Sequence, residues 1–128
     1  MAHSYYNVWI HAVFTTKYRQ HIITPDLEGL LFPFLYEEFD KLGCRLLIVN
    51  GLSDHVHCLF LLNANHSYSW VLKQIKGASS HYINENNFIP KKFKWQKGYA
   101  VFSVSKSGVT AVYNYIKNQK INSPAQHL

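Results

Sequence analysis

The sequence predicts an α+β domain of ferredoxin-like plan: an antiparallel sheet with helices on one face, plus a C-terminal tyrosine-bearing helix. Three observations predict it. The apolar periods run strand, helix, strand, strand, helix, strand, helix, and the first six match that plan. The second and third strands are joined by so short a connection that they form an antiparallel hairpin. The length, 128 residues without repeats or low-complexity segments, suits a single domain spanning 1–128. Such a chain buries roughly two thirds of its unfolded surface and needs no staples.

The elements follow in order. Tyr5 to Thr16 is rich in β-branched and aromatic residues and reads as a strand. Its even positions, Tyr6, Val8, Ile10, Ala12 and Phe14, are the more apolar; Tyr5, Asn7, Trp9 and His11 take the other face. A basic loop, Lys17-Tyr18-Arg19, comes next. Thr24 reads as a helix N-cap with Pro25 at the first helical position and Asp26 in the first turn. Leu27, Leu30, Leu31, Phe34, Leu35, Phe39 and Leu42 repeat at helical spacing, Pro33 is expected to kink the helix, and Gly43 supplies the stop. Cys44 to Val49 reads as a strand, Asn50-Gly51 as a turn, and Asp54 to Leu62 as the returning strand. A second helix is expected from about Ser69 to Asn86, with Val71, Leu72, Ile75, Ala78, Tyr82 and Ile83 inward. After a basic loop from Pro90 to Lys97 come a strand near Tyr99 to Val104 and a last helix that begins after Ser107-Gly108 and runs to about Lys120. This plan leaves the second face of the sheet open for a ligand or partner.

Composition narrows the function. Thirteen Lys and Arg against seven Asp and Glu give a net charge of +6, and most acids cluster at Asp26, Glu28, Glu37, Glu38 and Asp40. The remainder is therefore strongly basic, which favours an anionic partner such as nucleic acid. No apolar run approaches the ~20 residues that cross a bilayer, and Met1 to Thr16 lacks the features of a signal peptide. A cytoplasmic location and no membrane partner are expected. Cys44 and Cys58 have neither metal nor redox spacing and read as small buried hydrophobes.

Two patterns carry chemistry. In Asp54-His55-Val56-His57-Cys58-Leu59-Phe60 the two imidazoles fall on one strand face, about 6–7 Å apart along the strand, where they can converge on one metal ion. Val56, Cys58, Phe60 and Leu62 point the other way. Alone, His-x-His more often marks partly exposed strand histidines. On the last helix, Val109, Val112, Tyr113 and Ile116 form one stripe, so Tyr113 is packing. Tyr115 lies off that stripe with Gln119 one turn later beside it, able to reach one phosphate. Taken alone, such a pair is more often ordinary surface.

Several of these stretches, in this order, resemble the single-tyrosine HUH transposases, small enzymes that move insertion sequences as single-stranded DNA. The resemblance runs nearly the whole chain: Val8-Trp9 through Thr15-Thr16-Lys17-Tyr18-Arg19, Asp54-His55-Val56-His57, Leu72 to Ser80, Trp95 to Tyr99 leading into Phe102 to Ser105, and Tyr115-Ile116-Lys117-Asn118-Gln119. It implies that Tyr115 is the nucleophile, that His55, His57 and Gln119 are metal ligands, and that the product is a 5′-phosphotyrosine with a free 3′ hydroxyl. It also implies a homodimer with shared sheets, in which one subunit's tyrosine serves the other's histidines, and a DNA hairpin at the element's end as target. Soon after Gln119 the chain stops, at Ile121 to Leu128, where relatives often extend further; this bears on tail-dependent DNA contacts.

The expected cofactor is Mg²⁺, with Mn²⁺ a comfortable alternative because two ligands are nitrogens. Lys17, Arg19, Lys73, Lys76, Lys91, Lys92, Lys94 and Lys97 are candidates for phosphate contacts, and Trp95 or Tyr18 for stacking on a base. His11 reads either as a DNA contact on the open face or as a satisfied strand histidine. The alternatives are a non-catalytic ferredoxin-like module binding single-stranded nucleic acid, and a two-histidine hydrolase. The hydrolase ranks low because neither His66-Ser67 nor Ser80-His81 supplies the second histidine motif it needs.

Overall fold

The computed structural model describes residues 7–121, so Tyr5 and Tyr6 of the expected first strand and the tail beyond Ile121 lie outside the described residues. Strands β1 (Trp9–Thr15), β2 (Arg45–Leu52), β3 (His55–Leu61) and β4 (Ala100–Val104) form one antiparallel sheet in the order β2-β3-β1-β4. This is the ferredoxin-like arrangement, with β1 and β3 central. Helices α1 (Pro25–Lys41) and α2 (Tyr68–Glu85) connect its halves, and α3 (Val109–Lys117) ends the described fold.

The main core joins the even face of β1 (Ile10, Ala12, Phe14) and the matching face of β3 (Val56, Cys58, Phe60) to α1 and α2. From α1 it takes Leu27, Leu31, Leu35 and Phe39, and from α2 Val71, Leu72, Ile75 and Ile83. Leu30, expected inward, is exposed. Thr24 caps α1 as its sequence requires, its hydroxyl accepting from Leu27 N–H at 3.2 Å. The helix runs on through Pro33, and past its end Gly43 takes a positive φ of 69°. Cys44 and Cys58 are buried, and burial pushes both thiols up in pKa. They stay protonated and belong to the core.

Two expectations need correction. Asn50-Gly51 is not a turn: β2 continues through it to Leu52, pairing Asn50 with His57 and Leu52 with His55, and the chain reverses at Ser53-Asp54. Glycine serves close approach here, because a Cβ on Gly51 would run into the His55 carbonyl and the Val56 Cα. Nor is the second sheet face fully open. Helix α3 packs on it, and Ile116 joins Ile48 and Leu59 in a second small core bordered by Trp9, Leu47, Val104, Val109, Val112 and Tyr113. A register shift between Leu46 and Ile48 lets β2 serve both cores, with Leu46 and Val49 in the first and Ile48 in the second. Among the described residues no helix is long and apolar enough to cross a membrane.

Candidate active site

Strand parity builds the site. Thr15 pairs with His55 and Val13 with His57, and these four side chains share the face on which α3 docks. Asn50, across from His57 on β2, holds the helix in place. Its Nδ2 donates to the carbonyls of Ile116 at 3.0 Å and Lys117 at 3.2 Å, the open end of α3. With Ile116 pinned underneath, Tyr115 projects beside the histidines and is half exposed. The result is a cavity of about 420 Å³ lined by Val13, Thr15, Arg19, Leu52, His55, His57, Tyr115 and Gln119.

Tyr115, His55, His57 and Gln119 are thus brought together within one chain. The His55 and His57 rings lie 5.1 Å apart centre to centre, and the Tyr115 ring stands edge-on 5.6 Å from His57. Gln119 does not lie on the helix as expected. α3 ends at Lys117 and Gln119 occupies the following turn, its N–H bonded to the Ile116 carbonyl at 3.2 Å. That turn folds its side chain inward beside Tyr115, whose carbonyl accepts from Gln119 Nε2 at 3.4 Å, and leaves it 7% exposed.

Electrostatics favour neutral imidazole at His57. Burial, reinforced by neighbouring His55 and His11, pushes its pKa down to about 3 against the opposing Gln119 hydrogen bond. Its lone pair is therefore available at neutral pH. Burial also lowers His11. Asp54 accepts from His55 Nδ1 at 2.7 Å and from Arg19 Nε at 3.1 Å. Burial alone would raise its pKa, but these partners outweigh it and hold the carboxyl below its usual range. Among the described residues no group of three or more His, Cys, Asp or Glu is arranged around a metal. The donor set is instead two imidazoles and one amide facing an open cavity. Such a set would fit Mn²⁺ or Mg²⁺ with positions left open to other ligands, not a closed structural site.

The candidate DNA-binding residues fall in separate places. Lys17, Lys76, Lys94 and Lys97 line a larger cavity of about 570 Å³ with Tyr18, Ser80, Trp95 and Gln96. Lys91 and Lys92 line another with Asn84 and Asn87. Arg19 belongs to the histidine cavity, and Lys73 is exposed on α2. The Lys76 ammonium is committed to structure, donating to the Gln96 and Gly98 carbonyls at 2.7 Å each.

Trp95 is mostly committed to packing: it sits against Phe14 and Phe93, donates from Nε1 to Ser79 Oγ at 2.9 Å and is 9% exposed, leaving only an edge on the lysine cavity. Tyr18 is 79% exposed, with Lys17 Nζ 5.3 Å from its ring centroid.

Sequence reasoning missed Asn50 and the part played by Asp54, and left His11 open. His11 is 9% exposed, and its Nε2 lies 2.9 Å from His57 Nδ1. The signal was its odd position on β1, the parity of Val13 and Thr15, which could be used only once the register with β3 was known.

Residues 4–119 match the family described as "Transposase IS200 like". The transposase for insertion sequence element IS200 of Salmonella typhimurium strain LT2 is 30% identical over 125 residues, covering 93% of this chain and 81% of that protein. The ISDra2 transposase TnpA of Deinococcus radiodurans is 22% identical over 119 residues, covering 89% and 85%. A crystal structure of a candidate transposase from Deinococcus radiodurans R1 superposes with a TM-score of 0.74 at 24% identity, covering 93% of this chain and 96% of that one. A REP-associated tyrosine transposase bound to a REP hairpin superposes with a TM-score of 0.64 at 17% identity, covering 99% and 73%. The last two likenesses show a shared fold.

Proposed function

The chain belongs to the IS200-like transposase family, and on that premise we propose that it cleaves and rejoins single-stranded DNA at insertion-sequence ends through a 5′-phosphotyrosine at Tyr115. One observation carries the reading: a phenol from the last helix, two imidazoles from a central strand and an amide from the turn after the helix line a single cavity.

The Tyr115 oxygen attacks the scissile phosphorus, the Oη–P bond forms, and the P–O3′ bond breaks to release a 3′ hydroxyl. A phenol has a pKa near 10, well below that of a sugar hydroxyl. Phenolate is therefore the better leaving group, and the bond retains the free energy of the cut strand for resealing. A second 3′ hydroxyl then attacks the same phosphorus and returns the phenol. His55, His57 and the Gln119 amide oxygen would hold Mg²⁺ or Mn²⁺, which supplies charge stabilisation at the non-bridging phosphate oxygens. His57 meets this demand because it is neutral, and Gln119 because α3 docking turns it inward.

Lys17, Lys94 and Lys97 would contact the backbone of the bound strand, with Tyr18 stacking on an unpaired base. A DNA hairpin is the expected form of the target, matching what the REP-associated relative binds. The family resemblance implies a homodimer, which would carry two such cavities.

The test incubates the protein with single-stranded hairpin DNA from the flanks of its gene and Mn²⁺, then denatures the mixture. A covalent protein–DNA adduct is expected, absent in Tyr115→Phe with DNA binding retained. Adduct formation undiminished in Tyr115→Phe would overturn the assignment.

A further inference from the structure

Both histidines of the cavity are held from behind, and by the same ring nitrogen. Asp54 Oδ1 lies 2.7 Å from His55 Nδ1. His11 Nε2 lies 2.9 Å from His57 Nδ1, a contact buried between two strands. A neutral imidazole carries one proton, and the nitrogen that holds it cannot ligate a metal. A carboxylate can only accept, so His55 keeps its proton on Nδ1 and leaves Nε2 free. The same outcome at His57 requires His11 Nε2 to accept, with the His11 proton on its own Nδ1.

The surroundings fix both holders. The His11 ring stacks on His57 with centroids 5.1 Å apart and planes 26° from parallel, and it touches the Phe102 and Tyr115 rings. Arg19 Nε bonds the other oxygen of Asp54 at 3.1 Å. The two rear contacts differ in kind: a charged acceptor behind one imidazole, a neutral one behind the other.

We propose that Asp54 and His11 are positioning residues, each fixing one imidazole with its proton on Nδ1 so that both Nε2 atoms are presented together to a divalent cation. The inference rests on the metal reading above, but it concerns side chains of this chain and can fail independently. Outer partners of this kind typically change metal affinity by about 10–100-fold.

Two measurements on the full chain decide it. Long-range ¹H–¹⁵N NMR of the histidine rings, without metal, reports which nitrogen bears each proton; both His55 and His57 are expected as Nδ1–H. Titration calorimetry with Mn²⁺ alone then compares variants. His11→Phe keeps the ring and its packing but loses the acceptor, and is expected to weaken Mn²⁺ about 10–100-fold. His11→Gln, whose amide oxygen can stand in for Nε2, should recover most of that loss. Asp54→Ala should weaken binding by a similar factor, with Asp54→Asn between it and wild type.

His57 found as Nε2–H, or His11→Phe and Asp54→Ala binding Mn²⁺ as wild type does, overturns the proposal. Unchanged thermal unfolding of His11→Phe alongside its weakened binding supports positioning over a structural role. A wild-type protein that takes up no Mn²⁺ would count against the metal reading, and the ring-proton result would still decide the positioning of the imidazoles.

Discussion

Asn50→Ala should loosen the tyrosine helix without unfolding the sheet. Helix α3 has nine residues, too few to be stable unsupported, so its placement depends on Ile116 beneath it and Asn50 at its end. The Asn50 amide donates to the Ile116 and Lys117 carbonyls, and its oxygen accepts from Lys120 Nζ at 2.7 Å. The two neutral bonds contribute about 0.5–1.5 kcal/mol each. The lysine bond, on a half-exposed side chain, adds little after screening. Their loss therefore weakens docking by about 1–3 kcal/mol, roughly 5–150-fold in the docking equilibrium.

Hydrogen exchange followed residue by residue, together with the rate of covalent adduct formation, measures it. Exchange of the α3 amides should accelerate by that factor while the amides of β1 and β3 stay within about twofold, and adduct formation should slow. Asn50→Asp should fare no better than alanine, because it brings a negative charge to the negative end of the helix. Unchanged exchange in α3 would refute Asn50 as the anchor. A loosened α3 with wild-type adduct formation would refute the idea that docking places Tyr115.

The remaining predictions concern the core, the binding surface and pH. Trp95→Ala should cost about 3–5 kcal/mol in urea unfolding as a core truncation, whereas Tyr18→Ala should change stability by under ~0.5 kcal/mol yet weaken single-stranded DNA binding by about 1–3 kcal/mol; the opposite pattern would return Trp95 to the DNA surface. Replacing Lys17, Lys94 and Lys97 by alanine should make the log–log salt dependence of DNA binding shallower by about 2, at roughly 0.7 per phosphate contact on a single strand, and an unaltered slope would remove the lysine cavity from the interface. For the metal-free protein, His57 binds a proton more weakly folded, with a pKa of about 3, than unfolded, at 6.5. Its contribution to stability is therefore complete above about pH 6.5 and is lost as pH falls toward 3, at up to about 1.4 kcal/mol per unit. Urea midpoints against pH should fall less steeply in His57→Gln than in wild type, and parallel curves would contradict the assignment.

What the sequence made legible was local. Thr24-Pro25-Asp26 announced a capped helix, and the parity of His55 and His57 put two imidazoles on one face. The stripe Val109, Val112, Tyr113, Ile116 assigned Tyr113 to packing and Tyr115 to the edge. What stayed hidden was set by contacts far apart in the chain. Asn50-Gly51 carries the composition of a turn, yet the pairing of β2 with β3 stretches it into strand and assigns Asn50 to a helix 66 residues later. Trp95, placed between Lys94 and Lys97, reads as a surface aromatic until Phe14 and Ser79 close over it. Gln119 has helical spacing from Tyr115, but the helix ends first and a turn carries the amide inward.

The turn after β1 explains how the lysine and histidine cavities come to be neighbours. Tyr18 and Arg19 both take left-handed backbone angles, with φ of 59° and 53°, which costs non-glycine residues about 1–3 kcal/mol each. The conformation persists because the flanking chain is tied on every side. Thr16 N–H donates to the Asp54 carbonyl at 2.9 Å, Lys17 N–H to the Lys94 carbonyl at 3.0 Å, and Gln96 N–H to the Thr15 carbonyl at 2.8 Å. An extended path would keep consecutive side chains alternating along one strand. The left-handed pair instead sends Lys17 and Tyr18 to the lysine cavity and Arg19 to the histidine cavity, where it meets Asp54. One three-residue turn is therefore a wall shared by both cavities. On the function proposed above, a strand held on the lysine side would have only that turn to cross before it meets Tyr115, so relaxing the turn should separate grip from cut with the side chains of both cavities unchanged.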